Sequence, residues 1–417
     1  MQIVFLKTEE YLSLQIGRVK GIPIRLHYTL LIVFFLITFS VSVHLMPQIN
    51  PGLSATEYWI IGVISAIILF VSILLHELAH SIIALRYGIK VRQIILFIFG
   101  GMSDIEEETP QGFIVSKDFR KEFKIAVVGP VTSFIIAGML GMLLVVVSQV
   151  SNIEVNDLNS GSLALNVTRS VLWYGMVINS VIGGFNLIPA FPMDGGRILR
   201  AILVRWKRDY DQATRISVKA GVVMSYGFMG MGFLIMFTGS FVGGIWLLLI
   251  GWFLNSGAQS YLSEHELMGI LSTIPLRTIM NTRVIAVDEY LTIDSLLKDY
   301  FNLYSKDSFP VVTSEPNSNN LSGMVAFRDA SNVPYSERTR IRTNEVMIPK
   351  ADLIIMSENR NAREALIQIS KKRMGKVFVC NNEGKLIGVV SKTDIMNAAS
   401  EKREYNKAVR KLRKETG

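Results

Sequence analysis

Residues 58–85 read YWIIGVISAIILFVSILLHELAHSIIAL, an apolar stretch that is interrupted near its end by His76, Glu77 and His80. A run of this length and composition predicts a helix that spans a membrane, since about 20 apolar residues cross the hydrocarbon core. Charged and imidazole side chains are costly in such a helix and usually mark a functional site. The alternative is a polar cluster that only satisfies itself. The stretch therefore predicts a helical membrane domain and locates its candidate site.

The spacing of the polar residues indicates metal chemistry. His76 and His80 are four residues apart, so that on a helix they lie on one face, one turn from each other. Two imidazoles in this arrangement can bind one Zn²⁺, and Glu77 beside them can act as the general base on a zinc-activated water. The pattern predicts a zinc-dependent hydrolase.

The composition is that of a membrane domain joined to a soluble one. Half of the 417 residues are hydrophobic and the mean hydropathy is +0.37, yet 18% are charged. The long apolar runs fall between residues 27 and 260, whereas residues 261–417 are typical of soluble domains. Six runs are predicted to span the membrane, at residues 27–46, 58–85, 125–147, 163–187, 216–237 and 241–256.

The basic residues predict the orientation. Lys and Arg collect before the first span, after the second and after the fourth, while the alternate loops at 47–57, 148–162 and 238–240 have none. Both termini are therefore expected in the cytoplasm of a multi-pass protein of the cell membrane. This distribution explains the net charge of +9 without a nucleic-acid partner. No cleavable signal peptide is evident, and the single cysteine, Cys380, excludes an intramolecular disulfide framework and suits a reducing compartment.

A catalytic zinc needs a third protein ligand and an open position. The other histidines are poor candidates: His27 and His44 lie at the ends of the first span, and His265 falls in a polar linker. A carboxylate is offered by the sequence NLIPAFPMDGGR at residues 186–197, where two prolines break the fourth span and Asp194 follows. Asp-Gly-Gly is often only a turn, but Asp194 at the depth of His76 can complete a site of two histidines and one aspartate.

The two motifs together resemble those of the site-2 protease family of intramembrane zinc metalloproteases. The resemblance covers residues 1–260 and points to the subgroup with C-terminal CBS (cystathionine-β-synthase) domains. It implies zinc held by His76, His80 and Asp194, with Glu77 catalytic. The implied reaction hydrolyses a peptide bond within a transmembrane helix of a single-span substrate, usually one that another protease has trimmed. Asn186 is a candidate to stabilise the oxyanion.

A second resemblance lies on the third span. The sequence AVVGPVTS at residues 126–133 is similar to the Gly-Pro motif of the same family. Many members have Asn where this chain has Ser133, which leaves the role of that position open.

Residues 273–332 and 342–400 form an internal repeat. Gly323 and Gly388, and likewise Asp329 and Asp394, are 65 residues apart, and each copy is predicted as strand–helix–strand–strand–helix. Each copy is too small for a core of its own, so the two are expected to pack together as a soluble α/β pair.

The repeat resembles a tandem CBS domain pair, which implies regulation by an adenine nucleotide such as ATP or AMP. In such domains a hydroxyl residue and an Asp, spaced S/T-x-x-D, bind the nucleotide. The second copy has Ser391 and Asp394, whereas the first has Ala326 and Asp329. The pair also suggests a homodimer, and a dimerisation module that binds nothing is the alternative. The basic tail at 401–417 is either a solvated helix or a contact to the anionic inner leaflet.

The sequence therefore favours an intramembrane zinc protease that is modulated by adenine nucleotide at its CBS pair. A membrane transporter or channel gated by the same pair is the alternative, but its ligands would not need Glu77 beside them. A catalytically inactive relative acting as a membrane chaperone is a third possibility, against which the intact Glu77 argues.

Overall fold

The computed structural model describes residues 13–97, 100–106, 118–154, 163–239, 241–313, 320–372 and 374–415. The chain forms two compact units, of which the first ends at Glu264 and the second begins at His265.

Long helices form most of the first unit: α1 (Thr29–Ile49), α2 (Ala55–Arg86), α3 (Phe119–Glu154), α4 (Leu163–Asn186), α5 (Asp194–Lys207), α6 (Tyr210–Phe237) and α7 (Phe241–Ser272), which continues past the end of the unit at Glu264. Within the described residues, four helices are long and apolar enough to cross a membrane, namely α1, α2, α3 and α6. Helix α4 coincides with the predicted fourth span, and α7 contains the predicted sixth span and extends beyond it. The count of six spans stays a prediction.

Three details differ from the sequence-based expectation. Helix α5 was not predicted, because its apolar residues form only one stripe between charged ones. Helix α7 continues to Ser272, so His265, at the boundary of the two units, lies inside a helix, which the sequence did not predict. His27 ends a strand instead of beginning the first span, and its Nδ1 lies 2.8 Å from Thr29 Oγ1.

A four-stranded sheet packs against the helices of the first unit. Its strands, in the spatial order β1-β2-β3-β4, are β1 (Ser13–Val19), β2 (Ile22–His27), β3 (Lys90–Phe97) and β4 (Gly100–Glu106). Strand β3 pairs on one side with β4 and on the other with β2 of an N-terminal hairpin, which was not predicted. Ile94 and Leu96 bury their side chains beside Leu30 and pack against Ile73 of α2. The sheet thus covers α2 near the two histidines.

Small and capped residues hold α2 in the bundle. Ser54 and Glu57 cap its first turn reciprocally, with Ser54 N donating to Glu57 Oε2 at 2.6 Å. At Gly62 a Cβ would lie 2.7 Å from the carbonyl oxygen of Thr38, so α1 crosses α2 at backbone distance. Close crossings of this kind supply the packing that associates helices in lipid.

The second unit contains the repeat. The first copy comprises β5 (Val287–Asp288), helical turns at Ile293–Ser295, Leu296–Phe301 and Asn302–Tyr304, β6 (Ser308–Val312), β7 (Leu321–Ala326) and a helix at Phe327–Ser331. After short helices at Tyr335–Glu337 and Thr343–Val346, strand β8 (Ile348–Pro349) and a turn at Lys350–Asp352, the second copy comprises β9 (Ile355–Ser357), α8 (Ala362–Lys372), β10 (Lys376–Cys380), β11 (Leu386–Ser391) and α9 (Lys392–Glu415). The predicted order of elements is confirmed in both copies. Cys380 is buried at the end of β10.

The two copies exchange their leading segments. Strand β8, which precedes the second copy, pairs with β7 of the first, and a Cβ at Gly323 would lie 2.6 Å from Met347 Sδ. Conversely, Asn281 pairs with Val389, and a Cβ at Gly388 would lie 2.7 Å from Met280 Sδ. This exchange shows why neither copy is complete alone. The basic tail continues α9 as a helix through Glu415.

Candidate metal centre

The three expected ligands meet at one point. His76 and His80 lie one turn apart on α2, and their Nε2 atoms are 3.1 and 3.0 Å from Oδ2 of Asp194. The histidine side chains are 4% exposed and that of Asp194 is 12% exposed. Within the described part of the chain, these residues form the group whose side-chain ligand atoms could hold a metal ion, all within 4.8 Å of one another.

Asp194 reaches this point because the chain turns sharply before α5. Met193 is extended and Asp194 opens the helix. A Cβ at Gly196 would lie 2.5 Å from Phe191 N and 2.7 Å from the carbonyl carbon of Ala190. Only glycine lets α5 pack this closely on the loop that precedes it. The Gly-Gly pair after Asp194 therefore fixes where the carboxylate points.

Helix α3 orients both imidazoles. His76 Nδ1 lies 2.9 Å from Ser133 Oγ, and His80 Nδ1 donates to the carbonyl oxygen of Ile125 at 2.6 Å. With both Nδ1 atoms so engaged, both Nε2 atoms face Asp194, which is the usual way in which a neighbouring group sets a ligand's tautomer. Ser133, whose role the sequence left open, therefore contacts a ligand directly.

Gly129 lies between these two contacts on α3. A Cβ at this position would lie 2.6 Å from His76 Nε2 and would collide with the ring of His80. Ile125, Gly129 and Ser133 are spaced by four residues and so share one face of α3. That spacing was the signal in the sequence that could have assigned all three to the site.

Glu77 is held by the sheet. Ser103 of β4 donates its hydroxyl to Glu77 Oε2 at 2.8 Å, and a Cβ at Gly101 would lie 2.5 Å from Glu77 Cγ. Strand β4 therefore passes directly over the turn of α2 that carries the site. The sequence did not predict the role of Ser103, because the contact between β4 and α2 is tertiary and leaves no local sequence pattern.

The donor set fits zinc. Two imidazole nitrogens and one carboxylate oxygen form a common catalytic ligand set, and a tetrahedral ion about 2.0–2.1 Å from each would separate them by about 3.3 Å. The observed separations from the Asp194 oxygen, 3.1 and 3.0 Å, are close to that value. His76, His80 and Asp194 would therefore hold the ion, with a fourth position left for water.

The remaining predicted site residues lie elsewhere. Asn186 donates its amide to the carbonyl oxygen of Ile182 at 3.0 Å, within its own helix. Ser391 and Asp394 lie in the second unit and cap α9 reciprocally, with Ser391 Oγ donating to Asp394 Oδ2 at 2.6 Å. Ala326 offers no side-chain cap at the equivalent position.

Comparison with known proteins gives consistent matches. Residues 64–228 match Peptidase family M50, and residues 344–401 match the CBS domain. The zinc metalloprotease MJ0392 of Methanocaldococcus jannaschii is 31% identical over 388 residues, which cover 93% of this chain and 96% of that protein. Rip3 of Mycobacterium tuberculosis is 27% identical over 81% of this chain and 80% of its own length.

Among solved structures, the site-2 protease from Methanocaldococcus jannaschii is 34% identical, with a TM-score of 0.38, over 60% of this chain and 95% of that one.

The contact between α3 and the imidazoles predicts that Gly129→Ala weakens zinc binding. The added methyl group must displace both ligand rings, so we expect the zinc affinity, measured by chelator competition, to fall at least about 10-fold, as for other disturbed ligand shells. Gly138→Ala is the matched control, since a Cβ there meets nothing within 4 Å on the same helix. Equal zinc affinities in the two variants would contradict this assignment.

Proposed function

Because this chain belongs to peptidase family M50 and is a zinc metalloprotease, we propose that it hydrolyses a peptide bond within a transmembrane helix of its substrate. The observation that carries the proposal is the cluster of His76, His80, Asp194 and Glu77 on and beside α2, a helix apolar enough to cross a membrane. The substrate class is a single-span membrane protein already trimmed by another protease.

The chemistry divides between the ion and the chain. Zinc, when bound, supplies a Lewis acid that polarises the scissile carbonyl and makes a water acidic. The carboxylate of Glu77 accepts the proton of the attacking water and returns it to the departing amine as the C–N bond breaks. The hydroxyl of Ser103 holds Glu77 in place for both transfers. A glutamate held beside the ligands suits hydrolysis, whereas the alternative transporter or channel would need only ligands.

Cleavage has two further requirements, one for the substrate and one for the enzyme. Its helix must unwind locally, because helical carbonyls are already engaged in hydrogen bonds. The oxyanion needs a donor, and Asn186 is our candidate. To serve, its amide must leave the carbonyl oxygen of Ile182. Asn186→Asp, which keeps the size and removes the donor, should then lower kcat with an unchanged zinc content.

We expect Glu77→Gln to retain zinc and to lose cleavage. Glutamine is similar in size but cannot accept the proton of the water, and loss of a general base typically lowers the rate by 10²–10⁴-fold. Cleavage of a single-span reporter in detergent, with zinc content measured in the same preparation, checks this. His76→Ala, by contrast, should lose the metal. Native cleavage by Glu77→Gln would show that the assignment is wrong.

We also propose that the membrane domain has six spans, with both termini and the CBS pair in the cytoplasm. The support is the basic character of every second loop. In a Cys380→Ser background, Thr56→Cys should react with an impermeant maleimide on intact cells, while Glu383→Cys should react only after the cells are opened. Both side chains are exposed. Labelling of both from one side would rule out this topology.

The CBS pair, we propose, binds adenine nucleotide mainly at the second copy and thereby modulates cleavage. Strand β10 places Lys376 opposite Ser391, and its Nζ donates to Ser308 Oγ of the first copy at 2.9 Å. Burial lowers the pKa of the Lys376 amine, and Asp307 opposes that effect. A half-buried ammonium group on the strand that pairs with the end of β11, where Ser391 lies, suits a phosphate.

Calorimetry on the full-length protein should show about one tight adenine-nucleotide site per chain. Asp394→Ala should abolish it, since Asp394 holds the Ser391 hydroxyl at 2.6 Å, while Asp329→Ala is the matched control and should largely keep it. In the first copy, Ala326 replaces the hydroxyl residue and cannot hydrogen-bond the nucleotide. This should weaken nucleotide binding there by about 1–3 kcal/mol relative to the second copy. Two equal sites would contradict the proposal. No binding heat, together with a dimer by light scattering, would favour the dimerisation module instead.

A further inference from the structure

Arg200 is buried where the sequence predicted a charge of a cytoplasmic loop. It lies on α5 with 2% of its surface exposed, and Glu122 of α3 is 1% exposed. The Nε of Arg200 donates to Glu122 Oε1 at 2.7 Å, and its Nη2 donates to the same oxygen. Its Nη1 donates to the hydroxyl of Tyr261 on α7. One guanidinium group thus joins three helices.

Three aromatic rings surround the guanidinium group of Arg200. The guanidinium carbon lies 5.1 Å from the ring centre of Phe191, 4.8 Å from that of Tyr210 and 5.6 Å from that of Tyr261. The rings of Phe191 and Tyr261 stack at 4.3 Å. Phe191 belongs to the loop that delivers Asp194. Arg200 therefore contacts both Glu122 of α3 and the loop that leads to Asp194, the third ligand.

Stability alone does not account for such a pair. Burying an ion pair costs desolvation, and well-packed apolar residues of similar volume are often as stabilising or more so. The pair instead fixes the relative orientation of its two helices, since a planar guanidinium binds its partners in a fixed geometry. The geometry fixed here is that of α5 against α3.

That relative position decides the ligand geometry. Helix α5 begins at Asp194, whereas α3 carries Ile125, which accepts the hydrogen bond from His80. Glu122 lies one turn before Ile125 on α3. A shift of α5 along α3 would move the carboxylate of Asp194 relative to both imidazoles, whose orientation α3 sets. The distances of 3.1 and 3.0 Å leave little room for such a shift.

We propose that Arg200, through Glu122 and Phe191, is a positioning residue that sets Asp194 as the third zinc ligand. The described contacts of Arg200 are with Glu122 and the surrounding aromatic rings, not with the three ligands or Glu77. Arg200 acts by fixing the position of α5 against the face of α3 that contacts the two histidines. Its effect should therefore appear first in the affinity for zinc and only through that in catalysis.

The decisive variant is the double substitution Glu122→Leu with Arg200→Met in the full-length protein. It replaces the pair by apolar side chains, so the thermal midpoint of the zinc-free protein should change little. The zinc dissociation constant, from chelator competition, should rise about 10- to 100-fold, as when groups that orient a ligand are removed. Lys207→Met is the control: it removes an exposed charge from the same helix and should change neither quantity.

A conservative variant keeps the proposal testable if the double variant fails to fold. Arg200→Lys retains the charge but not the planar fork, so we expect a folded protein whose zinc affinity is lower than that of the native chain. Native zinc affinity in whichever of these variants folds, at an unchanged or lowered thermal midpoint, would show that Arg200 is merely structural and would overturn the proposal. Because the readout is zinc binding, the result does not depend on the proposed cleavage reaction.

Discussion

The structure depends on one constraint: polar groups inside an apolar helical bundle must be satisfied by other groups of the chain. His76 and His80 would be costly on α2 without partners. Helix α3 satisfies their Nδ1 atoms with a hydroxyl and a carbonyl oxygen. Helix α5 brings a carboxylate oxygen of Asp194 to 3.1 and 3.0 Å from their Nε2 atoms, where a metal ion would accept the lone pairs of all three. The partners that satisfy the histidines also aim them, so the requirement of the membrane and that of the metal are met by the same contacts.

Close packing is the second condition. The helices can bring these partners together only where side chains are absent, and Gly129 and Gly196 mark the two places. At the first, the backbone of α3 meets the imidazoles, and at the second, α5 meets the loop before Asp194. A glycine gives up the packing of a side chain, but it lets the helix backbone come closer to its neighbour than any larger residue would permit. The buried pair of Arg200 and Glu122 then holds the register that the glycines allow.

The parts that could be predicted from sequence were those with a local signature. The spacing of His76 and His80 and the Asp194 motif singled out three residues that the structure brings together, and the comparisons confirm the family to which these motifs pointed. The repeat was legible because its glycines and aspartates recur at a fixed distance. Ser103, the N-terminal hairpin and the burial of Arg200 could not be predicted, because each depends on contacts between elements far apart in the chain. Arg200 in particular has the sequence context of a loop charge.

The central claim is that two imidazoles of α2 and the carboxylate of Asp194 hold one zinc ion. X-ray absorption at the zinc edge of the purified protein tests it most directly. We expect one zinc per chain with two imidazole nitrogens and further nitrogen or oxygen ligands, four in all, at about 2.0–2.2 Å. A protein without zinc, or a zinc with a sulfur ligand or a six-oxygen shell lacking imidazole, would contradict the account.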